Sequence, residues 1–305
     1  MTTLIKSTTE AEWREVRRQG IGASDAPAIL GLSPWKSPIQ LYADKLGLAE
    51  DGSEETEAMR WGRRLEGVII AAYAEETNRE ALAGDPLLVH RSDEYPFMQA
   101  TLDGWVAAPT ANLARSMPGV LEIKTTGFFR AEDWAEGPPL MYQVQVQHAL
   151  AVVGARWGSI AVLVGGQRLL WADIERHDGF IARLIEQERA FWERLQAKEP
   201  PSVDDSKATT AVLKALYPAE TAGLVVNLPG EAVEWDAAIQ AAKAEMKVAE
   251  TKKRLHENLL RAAIGEAEAG ALSNGTLWKW TSREVAGYEV QSRVDRVLAR
   301  KEAKQ

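Results

Sequence analysis

Gly119-Val120-Leu121-Glu122-Ile123-Lys124-Thr125-Thr126 is the segment from which the rest of this 305-residue chain is best interpreted. As an extended strand it sets Glu122 and Lys124 on one face and Leu121 and Ile123 on the other. A carboxylate beside an ammonium on an otherwise apolar strand suits a site that holds a divalent cation and steadies the water next to it. Upstream, Ala100-Thr101-Leu102-Asp103-Gly104-Trp105 is a second strand-like segment carrying one acid. The stretch between the two contains Pro109, Asn112, Pro118 and Gly119, the composition of a hairpin connection. Blander readings stand beside this one: Asp103-Gly104 is also a favoured turn dipeptide, and Glu122 with Lys124 also describes a solvated strand face. Each motif is short, and it is their conjunction in this order that chance supplies least readily.

An acid followed by Glu-x-Lys on a paired strand is the PD-(D/E)XK nuclease pattern. Mg²⁺ is a hard cation that prefers oxygen ligands in octahedral geometry and keeps several waters, so two carboxylates and a carbonyl suffice. Asp103 and Glu122 are the expected metal ligands, with the Ile123 backbone carbonyl as a third and Mn²⁺ as a substitute ion. Lys124 is placed to orient the attacking water and offset charge on the phosphorane oxygens.

Two more segments extend the pattern. Trp61-Gly62-Arg63-Arg64-Leu65-Glu66 opens an apolar-periodic helix continuing through Val68, Ile69, Ala72 and Tyr73. Leu140-Met141-Tyr142-Gln143-Val144-Gln145-Val146-Gln147 alternates like a strand, but its apolar run to Val153 has helical length and places Gln143 and Gln147 on one face. Taken singly, Glu66 reads as an exposed acid pairing with Arg63, and the glutamines as a solvated helix face.

Together with Ile21-Gly22-Ala23-Ser24-Asp25-Ala26, these blocks follow the order found in the YqaJ-type viral recombinase nucleases, the family that includes phage lambda exonuclease. The chain resembles that family over roughly its first two-thirds. Leu102 stands where the pattern's name has proline, outside the metal shell. The resemblance implies an α/β fold with a PD-(D/E)XK restriction-endonuclease-like core, in which a mixed central sheet is flanked by helices. It further implies that Asp103, Glu122 and Lys124 are catalytic, that Glu66 joins them as an extra metal-site acid, and that Gln143 borders the scissile phosphate. The implied activity is a processive 5′→3′ exonuclease on double-stranded DNA ends that passes its product to a single-strand annealing protein. A homotrimeric ring is implied likewise. An endonuclease of the same fold, or a DNA-binding protein that does not cleave, is the alternative.

Near the N-terminus, Ser7-Thr8-Thr9-Glu10 resembles a capping box ahead of a helix carrying Trp13, Val16 and Arg17. The chain breaks at Gly20 and Gly22, and a short helix is expected from about Ser24 or Asp25, with Pro27 early in it. A helix start with free amides, a serine hydroxyl and a neighbouring arginine reads as an anion site, or more plainly as an ordinary N-cap beside exposed arginines. The family resemblance implies that Arg17 and Ser24 hold the 5′-terminal phosphate.

Composition bounds the rest. The absence of cysteine excludes disulfides and thiolate metal sites, and four scattered histidines offer no zinc finger. With no long apolar run and no signal-peptide pattern, the expected place is the cytoplasm of a bacterium or phage-infected cell, away from membranes. The net charge of -8 argues against a DNA enzyme. A nuclease, however, needs positive potential only in its groove, and a bound cation offsets the catalytic acids.

The sequence divides into a nuclease domain over residues 1–200 and an accessory region over 201–305. Two strands, Arg156 to Val164 and Arg168 to Ile174, turn at Gly165-Gly166, and a helix from about His177 to Lys198 carries a core stripe of Phe180, Leu184, Phe191, Trp192 and Leu195. The stretch from Glu199 to Ser206 has linker composition. Beyond it, a long helix from about Glu231 to Ala269 precedes a strand pair turning at Asn274-Gly275, with Trp278 and Trp280 sharing one strand face and expected to pack on the helix, base stacking by that pair being the alternative.

Overall fold

A computed structural model describes residues 1–48, 56–108, 117–282 and 300. Pro109 and Asn112 of the expected hairpin connection lie outside the described residues. The chain forms two compact units, Met1–Pro218 and Ala219–Gln305.

The first unit opens with β1 (Thr2–Lys6) and α1 (Glu10–Arg18). Thr9 caps α1 by accepting from the Glu12 amide, and the Glu12 carboxylate accepts from the Thr8 amide and hydroxyl. The capping frame is therefore shifted by two residues from the Ser7 to Glu10 reading, because Ser7 is buried and its amide is bonded to Leu87. The four-residue α2 (Ala26–Ile29) follows, then α3 (Pro38–Lys45), set by a capping box between Ser37 and Gln40 with proline at its first position. Next comes α4 (Glu57–Thr77), which Asn78 ends in a left-handed conformation.

After β2 (Ala81–Ala83), β3 (Leu88–Ser92) and β4 (Gln99–Ala100), the hairpin of β5 (Gly104–Val106) and β6 (Gly119–Thr126) leads into α5 (Leu140–Val153). The unit continues through β7 (Trp157–Val164), β8 (Arg168–Glu175), α6 (Asp178–Ala197) and α7 (Lys207–Leu216). The main sheet runs β2-β5-β6-β7-β8, with β6 and β7 parallel and the other pairs antiparallel. A second sheet has the order β1-β3-β4. The single parallel pair needs a crossover, and α5 supplies it on one face of the sheet. This is the expected mixed sheet flanked by helices.

β6 is central in the sheet and packs on both faces. Leu121 and Ile123 pack with Ile69, Ile70 and Tyr73 of α4, while Val120 packs with Val146, Ala149 and Leu150 of α5. At its start only glycine fits: a Cβ on Gly119 would lie 2.6 Å from the Trp157 ring. The expected stripe on α6 is indeed core, with Leu184, Phe191 and Leu195 buried. Between α5 and α6, the fully buried His148 lies 2.7 Å from Glu188 through Nδ1 and 3.0 Å from the Gln99 carbonyl through Nε2. Gln147 is not a solvated residue. It is buried, donating to the Glu175 carbonyl and accepting from the His177 amide, so it ties α5 to the end of β8.

The compact unit extends past residue 200. Asp204 and Ser206 form the cap of α7, and Val212 packs with Ile39 and Ala43 of α3. The proline-rich acidic stretch is thus the lead-in to a packed helix.

The second unit holds α8 (Ala232–Ile264) and an antiparallel pair of β9 (Ala269–Ala271) and β10 (Leu277–Lys279). Gly275, at φ +84°, takes the turn. None of its described residues is buried. Trp278 and Trp280 stay 45% and 51% exposed, against the expectation that they pack on the helix, since strands of three residues cover little surface.

Candidate active site

Because β5 has only three residues, its pairing with β6 stops at Gly104 opposite Leu121. Among the described residues, no strand pairs with that edge of β6 from Ile123 onward. Asp103, just before β5, fills the first gap, its carboxylate accepting from the Ile123 amide at 2.8 Å. Asp103-Gly104 is therefore no turn. A residue's N–H and C=O project to the same edge of a strand, so the Ile123 carbonyl faces the same opening as Asp103.

Glu122 is buried rather than solvated, and it forms an ion pair with Lys124. From α5, Gln145 donates to the Glu122 carboxylate at 2.6 Å, and the Tyr142 ring lies 5.4 Å from the Lys124 ammonium. Tyr142 is itself stacked on Trp134 at 5.3 Å. Glu66 joins from α4, half-buried, while Arg63 reaches Glu10 at 3.5 Å.

Burial pushes the Glu122 carboxyl up to about 7, with Lys124 opposing and the charges of Asp103 and Glu66 adding to the rise. Burial and the Asp103 charge likewise raise Glu66 to about 7. Asp103 is also raised by burial, against Lys124 and the Ile123 amide. Burial pulls Lys124 down, but Glu122 and Asp103 outweigh it and the ammonium is held above its usual range. Three carboxyls thus converge on one cation, leaving negative charge in a poorly hydrated place. That imbalance fits a divalent metal ion. Asp103, Glu122 and the Ile123 carbonyl would hold it with waters, and Glu66 faces them. Among the described residues, no three acidic or imidazole groups are gathered as a ready-made cage.

A linked pH dependence follows. Glu122 titrates at 4.5 as a free group and at about 7 when folded, so the unfolded state gives up its proton first. Its contribution is fully favourable below pH 4.5 and is lost as pH rises through about 7. The metal-free protein should lose melting temperature over that range, by up to about 3 kcal/mol of stability from this group. Glu122→Gln should flatten the decline, and a divalent ion should reverse it. Identical profiles for the wild type and Glu122→Gln, read by thermal melting in EDTA, would mean that the carboxylates are already balanced.

Arg17 and Ser24 belong to the same space. The Arg17 guanidinium donates to the Ser24 hydroxyl at 2.9 Å and lies 4.8 Å over the Trp13 ring. The Trp13 indole donates to the Thr101 hydroxyl at 3.1 Å, two residues from Asp103. One cleft of about 530 Å³ is lined by Arg17, Ser24, Glu66, Asp103, Glu122 and Lys124. Two of the amides here are already engaged: the Gly22 amide donates to the Asp25 carboxylate, and the Asp25 amide to the Gly22 carbonyl.

Gln143 is not in the cleft. It donates to the Pro138 carbonyl at 2.6 Å in the first turn of α5, and Gln145 lines the cleft instead. Positions two apart on a helix point about 200° away from each other, so only one of the pair can face Glu122. The Gln-x-Gln pattern was visible in the sequence, but the helix phase was not. Tyr142 was missed altogether, since an aromatic at the start of an apolar helix reads as core.

An acid at the end of one strand and Glu-x-Lys on its antiparallel neighbour, in a mixed sheet flanked by helices, define a PD-(D/E)XK nuclease fold. Residues 12–156 match the YqaJ-like viral recombinase domain. The chain is 30% identical over 273 residues to the uncharacterized protein YqaJ of Bacillus subtilis (strain 168), spanning 88% of this chain and 82% of that one. It belongs to the YqaJ-like viral recombinase family. Among solved structures, the alkaline exonuclease LHK-Exo from Laribacter hongkongensis, in complex with dAMP, has a TM-score of 0.49 and 21% identity over 62% of this chain and 94% of that one. A phage-related exonuclease from Haemophilus somnus 129PT has a TM-score of 0.40 and 13% identity over 61% of this chain and 98% of its own. No helix among the described residues is long and apolar enough to cross a membrane.

Proposed function

We propose that this protein is a Mg²⁺-dependent deoxyribonuclease that degrades double-stranded DNA from its ends in the 5′→3′ direction, in phage-type homologous recombination. The observation carrying this reading is the shared cleft. Arg17 and Ser24, a cation and a hydroxyl suited to a terminal phosphate, open onto the same space as Asp103, Glu122 and Lys124. A cleft with a phosphate-holding pair beside the hydrolytic group favours a terminus over an internal bond.

A bound metal ion would polarise the scissile phosphate and lower the pKa of the attacking water. Asp103 and Glu122 orient that site through their own fixed contacts. Lys124, held between the Glu122 carboxylate and the Tyr142 ring, faces the developing negative charge. Gln145 fixes the rotamer of Glu122. Assembly of three copies into a ring, and delivery of the single-stranded product to an annealing protein, belong to the same proposal.

Linear and covalently closed circular duplexes incubated with Mg²⁺, Mn²⁺ or EDTA test it. Loss of linear duplex alone, dependent on the ion, is expected. Cleavage of circles would make the protein an endonuclease, and binding without cleavage a non-catalytic DNA-binding protein. A second measurement addresses the terminus: Arg17→Ala or Ser24→Ala should reduce the rate advantage of 5′-phosphorylated over 5′-hydroxyl duplexes by about ten- to a hundredfold, the value of a charge-assisted contact. An unchanged advantage in both variants would return Ser24 to an ordinary turn residue.

A further inference from the structure

Behind the Arg17–Ser24 pair lies a lysine that the chemistry so far does not use. Lys45, the last residue of α3, has a side chain only 5% exposed, and its ammonium reaches the Asp25 carboxylate at 2.6 Å and the Arg17 carbonyl at 2.8 Å. A long cationic side chain is rarely buried so completely without a partner. Asp25, also buried, accepts from the Gly22 amide at 2.9 Å on the same oxygen that meets Lys45. The Arg17 guanidinium stands farther off, 3.9 Å from the other Asp25 oxygen, and gives its hydrogen bond to Ser24 instead.

The charges make sense as a set of three. Asp25 alone beside Arg17 would form a closed ion pair, neutral overall and of little use to an incoming anion. With Lys45 engaging the carboxylate at shorter range, the trio carries one net positive charge, and the part that faces the cleft is Arg17. We propose that Lys45 is a positioning residue for the terminal-phosphate pair: it occupies Asp25, so that Arg17 stays extended over Trp13 toward Ser24 and remains available to the DNA end. This rests on the reading of Arg17 and Ser24 as the holders of a 5′-phosphate. Lys45 touches no substrate, and it acts through a buried carboxylate and a backbone carbonyl.

The test compares exonuclease rates on 5′-phosphorylated and 5′-hydroxyl duplexes for four proteins: wild type, Arg17→Ala, Lys45→Met and the double variant Lys45→Met/Asp25→Asn. Thermal melting confirms that each is folded. Lys45→Met frees Asp25 to draw in Arg17, and should cut the phosphate preference by about tenfold or more while leaving the 5′-hydroxyl rate unchanged. The double variant removes both buried charges, releases Arg17 again, and should recover most of the preference. A purely structural lysine would not behave this way, since a second substitution in a damaged site does not restore selectivity. Should Lys45→Met fail to fold, Lys45→Gln keeps a donor without the charge, and the same comparison holds. A phosphate preference intact in the single variant overturns the inference, and so does a preference that the double variant fails to recover. If Arg17→Ala itself keeps the preference, the reading of the terminal-phosphate pair has failed, an outcome distinguishable from failure of the lysine's role.

Discussion

Asp103→Asn, Glu122→Gln and Lys124→Ala should each retain less than about one-thousandth of wild-type Mg²⁺-dependent cleavage of a linear duplex, because ligand and charge-stabilising groups contribute several kcal/mol chiefly in the transition state. DNA binding should change far less. The stabilities should part company: the two carboxylate variants relieve repulsion among Glu66, Asp103 and Glu122, so without metal they should melt no lower than wild type. Lys124→Ala removes the ammonium that balances these acids and should melt lower in EDTA, with divalent ions restoring part of the loss. Single-turnover rates on a short duplex, with melting curves in EDTA and in Mg²⁺, check both halves. Turnover within tenfold of wild type in any variant would remove that residue from the mechanism.

Ending the chain at Pro218 should leave a protein that folds cooperatively and cleaves DNA, whereas ending it at Lys198 should cost about 3–5 kcal/mol. The second cut strips α7 from α3, removing the buried Val212 and the half-buried Leu213 and Leu216 from contact with Ile39 and Ala43. Burial of one such side chain is worth about 1.5–3 kcal/mol, against a typical total stability of about 5–15 kcal/mol. Loss of residues 219–305 should instead appear in assembly, processivity or partner recruitment. Denaturant melts of the two truncations, each followed by a duplex-degradation assay, separate these effects. Equal midpoints would show that α7 contributes nothing to the fold, and an insoluble 1–218 protein would show that the first unit depends on the second.

The same contrast shows what sequence can carry. β6 was legible because strand alternation fixes which side chains share a face, and Glu122 beside Lys124 needs only that rule. The short helix near Asp25 and the hairpin at Asn274-Gly275 were legible through local turn and cap chemistry. α7 was hidden because its lead-in, Glu199 to Ser206, has the composition of a linker, and only the distant Ile39 and Ala43 reveal that the helix has a partner. Choosing Gln145 over Gln143 required the phase of α5 relative to β6, a property of two elements rather than one. Lys45 carried no signal at all: a lysine at a helix C-terminus is ordinarily solvated and favoured by the helix dipole, and its burial against Asp25 emerges only in three dimensions.

The Asp103 carboxylate bonded to the Ile123 amide also has a bearing on how the protein keeps to itself. Where β5 stops short, no strand among the described residues pairs with that edge of β6, and an unpaired edge is of the kind that recruits a strand from another molecule. The aspartate plugs the first donor there, so the side chain proposed to hold the metal ion also covers an edge that would otherwise invite edge-to-edge pairing. Alanine at this position would unplug the donor, and a loss of solubility could then be mistaken for a loss of chemistry. Asparagine keeps an acceptor opposite the amide while giving up the negative charge, and is the substitution that isolates the chemistry.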